Sequence, residues 1–105
     1  MSVVAAFSVT PLGGAGVEDD GSVGRVVAEV VRLVRASGLP HETNAMFTNV
    51  EGTLDQVIDL VKRCTALAAE MAPRVSVVVK LDVRPGHENA LHTKVARVEH
   101  LLSGD

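Results

Sequence analysis

Apolar residues alternate along some segments of this chain and recur every three or four residues along others, and the two periods predict its elements. From Val3 to Thr10 the alternation is that of a strand, with Val3, Ala5, Phe7 and Val9 on one face and Val4, Ala6, Ser8 and Thr10 on the other. Pro11 and the glycine-rich stretch Gly13-Gly14-Ala15-Gly16 are expected to stop it. A helix is predicted from Ser22, with Asp19 and Asp20 near its positive end and Val23, Val26, Val27, Val30, Val31 and Val34 as its apolar stripe. Gly38 and Pro40 mark its end.

Between 40 and 51 the pattern weakens to two short strands, roughly 40–45 and 47–51, turning around Met46. Thr53 and Gln56 then have capping-box spacing, and Leu54, Val57, Ile58, Val61, Cys64, Leu67, Ala68 and Met71 form the stripe of a second helix that Pro73 closes. Arg74 to Val83 alternates most cleanly, with Val75, Val77, Val79, Leu81 and Val83 opposed to Ser76, Val78, Lys80 and Asp82. A last helix is predicted from about Asn89 to Leu102. This order is that of an α+β, ferredoxin-like βαββαβ sandwich with an added C-terminal helix, one domain over residues 1–105. Two helices cover one sheet face in such a fold. The other face, here carrying Val4, Ala6 and Val78 beside Ser8, Lys80 and Asp82, is expected to be open and used for oligomerisation.

Composition narrows the class of function. Phe7 and Phe47 are the only aromatics among 105 residues, so the core is built of branched aliphatics. A net charge of −3 with no basic stripe and no stacking platform argues against nucleic acid. No apolar run approaches the ~20 residues of a membrane span. The first residues lack the basic region of a signal peptide, and one cysteine fits a reducing compartment, so the expected location is cytoplasmic.

The candidate chemistry is sparse. The glycine stretch follows a strand as a phosphate cradle would, but Asp19 stands where the third glycine of the dinucleotide fingerprint belongs, and the acidic run would repel an anion. His87 and His92 are one residue too far apart for the zinc-protease spacing, and His92 and His100 are two turns apart, so no metal is expected. Cys64 reads as a small buried hydrophobe. More informative are the polar residues on the face where a strand would be apolar: Ser8, Lys80, Asp82 and, by alternation from Val50, Asn49 and Glu51. Buried there they must pair with one another across subunits or hold a small ligand.

At these residues the chain resembles the thiamine-binding family of small ferredoxin-like proteins. The likeness runs in order through Val3–Pro11-Leu12-Gly13, Ser37-Gly38-Leu39-Pro40, Met46-Phe47-Thr48-Asn49-Val50-Glu51-Gly52, Lys80-Leu81-Asp82-Val83-Arg84 and Lys94-Val95. It implies a homo-oligomer, a tetramer built as a dimer of dimers, that takes thiamine or its hydroxymethylpyrimidine half between subunits without catalysis and with no further cofactor. It also implies a binding region around Asn44, Thr48, Glu51, Lys80 and Asp82. Glu51 or Asp82 would accept the aminopyrimidine's N–H groups, Ser8, Asn44 and Thr48 would complete the hydrogen bonds, and Met46 would press on a ring face. Phe47 stands where relatives more often carry glycine, and Ala45 where they carry proline; Phe47 either fills the pocket or stacks on the pyrimidine. The acidic run near 18–20 favours the vitamin over its diphosphate. Two other classes stay open: a dimeric α+β barrel enzyme with a cavity histidine, and a ligand-free interaction module.

Overall fold

The elements follow one another in the expected order in the computed structural model, which describes residues 2–13, 24–85 and 90–103. They are β1 (Val3–Leu12), α1 (Gly24–Ala36), β2 (His41–Thr43), β3 (Thr48–Gly52), α2 (Leu54–Met71), β4 (Arg74–Val83) and α3 (Ala90–Leu102). The strands form one antiparallel sheet in the order β2-β3-β1-β4, the ferredoxin-like arrangement. Gly14, Ala15 and Gly16, the acidic run at 18–20, Ser22, Val23, His87, Glu88, Asn89 and the His92 side chain lie outside the described residues. No helix among the described residues is long and apolar enough to cross a membrane.

The odd-numbered face of β1 carries the core. Val3, Ala5, Phe7, Val9 and Pro11 are buried there against Val26, Val30 and Val34 of α1 and Val57, Leu60, Val61, Cys64 and Ala68 of α2. Valine forms helices poorly, so α1 depends on this packing rather than on its own propensity. The start of α2 is set locally, because Thr53 Oγ1 accepts from Gln56 N at 3.1 Å and Gln56 Oε1 accepts from Thr53 N at 2.9 Å. Thr53→Ala is therefore expected to cost about 1 kcal/mol of stability in urea unfolding, and an unchanged midpoint would show that the cap contributes nothing.

Three expectations need correction. First, β1 does not stop before Pro11 but continues through it to Leu12, paired with β4 down to Arg74. Second, β2 is only His41–Thr43 and β3 is Thr48–Gly52, so the turn is the whole of Asn44–Phe47. Asn44 shapes it: its main-chain N donates to Phe47 O at 3.0 Å, while its Oδ1 accepts from Met46 N and Phe47 N, both at 2.9 Å. Third, the face opposite α1 and α2 is not wholly open. Lys94 of α3 pairs with Asp82, and α3 also meets β1 and β3, so it crosses one end of this face.

α3 does not cover its own apolar side chains. Val95, Val98, Leu101 and Leu102 remain exposed, as do Val78, Val79, Leu81 and Val83 of β4. Alternation placed Val79, Leu81 and Val83 on the core side, yet α2 covers only the half of β4 that carries Val75 and Val77. The resulting outline is elongated, with a radius of gyration of 15.4 Å against roughly 13 Å for a compact chain of this length.

Candidate functional site

Beyond Phe7, β1 loses one neighbour. The β1–β3 ladder ends at Phe7↔Thr48, while the β1–β4 ladder continues for five more residues. By the same register Met46 would face Val9, but the Asn44–Phe47 turn carries the chain away and leaves Met46 73% exposed. A cleft of about 200 Å³ fills the space between this half of β1, α1 and the turn. Phe7, Val9, Val27 and Val30 give it apolar walls, and Ser8, Thr10, Thr43, Asn44 and Thr48 give it hydroxyl and amide groups. None of its lining residues is charged.

The hydrogen-bond register says which main-chain groups face this cleft. Glu51 N donates to Pro40 O, and Asn44 N donates to Phe47 O, so residues 47, 49 and 51 direct their amides toward β2. Thr48, Val50 and Gly52 must then direct theirs toward β1, which makes Phe7, Ala5 and Val3 their hydrogen-bonded partners. Continuing along β1, the N–H and C=O of Val9 point to the side where β3 has ended. Pro11 has the same parity. Its missing N–H would have pointed away from β4, which is why a proline fits inside this strand without costing a ladder bond.

The residues expected to form one site fall into two groups. Ser8, Asn44, Met46, Phe47 and Thr48 all line the cleft. Asn44 has Oδ1 committed to holding the turn, so its part there is to position Met46 and Phe47. Glu51, Lys80 and Asp82 share the sheet face of Ser8 but sit farther along it, level with Val4 and Ala6, and the cleft lining includes none of them. Glu51 and Asp82 flank Val4, while Asn49 and Lys80 flank Ala6. Glu51 is only 3% exposed and accepts from Ser2 Oγ at 2.6 Å; Asp82 is paired with Lys94. A single chain therefore cannot bring these carboxylates to a ring held in the cleft.

Phe7, Val9, Thr43, Val27 and Val30 were not among the expected site residues, because apolar alternation assigns most of them to the core. Pro11 was the available signal, since a proline inside a strand marks an edge that lacks a partner. His41 is exposed, with Nδ1 2.9 Å from Leu39 O, and neither it nor His100 lines the cleft. Cys64 is buried as expected. Among the described residues no group of histidine, cysteine and carboxylate side chains could hold a metal ion.

Comparison with known proteins agrees with this architecture. The chain is 52% identical over 104 residues to the UPF0045 protein of Mycobacterium tuberculosis, covering 97% of this chain and 96% of that protein. A hypothetical protein of Methanocaldococcus jannaschii superposes with a TM-score of 0.82 at 31% identity, over 93% of this chain and 96% of that one. A Thermotoga maritima protein whose name links it to thiamine biosynthesis or salvage shares the fold, with a TM-score of 0.79 at 21% identity over 93% of this chain and 99% of its own. The family model described as thiamine-binding protein matches residues 5–99, and the chain accordingly belongs to the thiamine-binding protein family.

Proposed function

We propose that this chain binds thiamine or its hydroxymethylpyrimidine moiety without catalysing a reaction on it, as a homo-oligomer whose subunits meet close to the cleft. The observation that carries the reading is the cleft itself. It is small, uncharged, walled by both of the chain's aromatic residues and supplied with hydroxyl groups. Such a site suits a flat neutral heterocycle and disfavours a diphosphate, which needs cationic or clustered N–H donors. In this reading Phe47 stacks on the pyrimidine, Met46 closes the outer ring face, and Ser8 and Thr48 bond the ring substituents. The charged thiazolium then projects outward. Lys80 and Asp82 we assign to the contact between copies, where α3 and β4 also leave apolar side chains uncovered, while Glu51 is held within the chain beneath Ser2.

The test is calorimetric titration with thiamine, hydroxymethylpyrimidine and thiamine diphosphate. The first two should bind saturably and the third more weakly. Phe47→Ala should weaken binding about 3–10-fold, the worth of one aromatic contact, whereas Glu51→Gln should leave it unchanged. Absence of heat from folded protein would sink the binding reading and favour an interaction module.

A further inference from the structure

Side chains supply little of the discriminating chemistry in the cleft. Its lining has no charged group, and the most polar of its residues, Asn44, spends its acceptor on its own turn. An aminopyrimidine nevertheless presents a demanding edge: a ring nitrogen that accepts, beside an exocyclic amino group that donates. Burying that edge without partners costs about 1–3 kcal/mol per group. The expected carboxylates lie beside Val4, four residues along β1 from Ser8 and outside the cleft lining, so something else must meet it.

We propose that the main chain of Val9 meets it. The N–H and C=O of this residue point together toward the cleft, at the one stretch of β1 where the ladder with β3 has ended and that with β4 continues. A strand residue offering both groups on one side is the complement of an amidine edge, as it is of a neighbouring strand. The ring takes the place that Met46 would hold had β3 run two residues further. Val9 N–H donates to the ring nitrogen, and Val9 C=O accepts from the amino group. The Val9 side chain is meanwhile buried in the core, which fixes the strand that carries the pair. Selectivity therefore lies in the backbone, and the cleft recognises the amidine edge of aminopyrimidines as a class.

This rests on the binding reading above, and the experiment separates the two. Pro11 shows how to remove the donor: at this parity a proline forfeits no bond to β4. Hydroxymethylpyrimidine is titrated into wild type, Val9→Pro and Val9→Ala. Val9→Pro should bind about 10–100-fold more weakly, while Val9→Ala, which trims an apolar wall of the cleft but keeps the amide, should lose clearly less than Val9→Pro does. Should Val9→Pro fail to fold, two wild-type measurements decide. The analogue with C–H in place of the ring nitrogen beside the amino group should lose affinity to a similar degree, and the Val9 amide resonance should move downfield on titration with the natural ring. Equal affinity for ring and analogue, or a Val9 amide that does not shift while the ligand binds, overturns the assignment and leaves the proposed function standing. If wild type binds no pyrimidine at all, both fall together.

Discussion

Phe7→Ala should remove about 3–5 kcal/mol of folding free energy, as large-to-small changes at filled aromatic positions do. Phe7 is 1% exposed and the largest fully buried side chain among the described residues, set between Thr48 on β3 and Val79 on β4. The rest of the core is mostly valine, too short and too stiff to swing into the vacated volume. A small domain has only about 5–15 kcal/mol in hand, so this one substitution removes a large share of the total. Urea unfolding followed by far-ultraviolet circular dichroism gives the difference directly. A loss under about 1 kcal/mol would mean that the adjoining cleft absorbs the missing ring, so that Phe7 serves the ligand rather than the core.

The second large effect is alkaline. Burial pushes the Cys64 thiol up to about 11 from an ordinary 9.0, and the positive charge of Arg63 offsets only part of that rise. The folded chain thus holds this proton more tightly than the unfolded chain does. The resulting stability is complete below the unfolded value of 9.0, falls as the pH rises past it, and is lost beyond about 11. Two pKa units correspond to about 2–3 kcal/mol. Comparing the protein with Cys64→Ala isolates the effect from other alkaline titrations: the gap between their unfolding free energies should narrow between about pH 8 and pH 11. A constant gap would show that the thiolate is tolerated where it sits.

The fold was legible in the sequence because its strongest signals are local. Alternation from Arg74 to Val83, the Thr53–Gln56 box and the valine stripe of α1 each specify an element from short-range chemistry. The candidate cleft was legible in part. Ser8, Met46, Phe47 and Thr48 meet because a hairpin turn and the strand beside it are close in any such sheet. Glu51, Lys80 and Asp82 were grouped with them by sharing a face with Ser8, but alternation reports the face of a residue and not its height along the sheet. Nor does it report where a neighbouring strand stops. That boundary, set by the length of β3, makes the cleft, and Pro11 is the sequence's single hint of it.

Both phenylalanines border the cleft, and the chain has no tryptophan or tyrosine. Every aromatic chromophore in the protein is therefore within reach of a bound ligand. Near-ultraviolet dichroism, which in most proteins averages signals from many unrelated rings, here reports on one location. Occupancy can be followed without a label or an engineered probe, and a change in that band with no change in the amide region marks an event at the cleft alone.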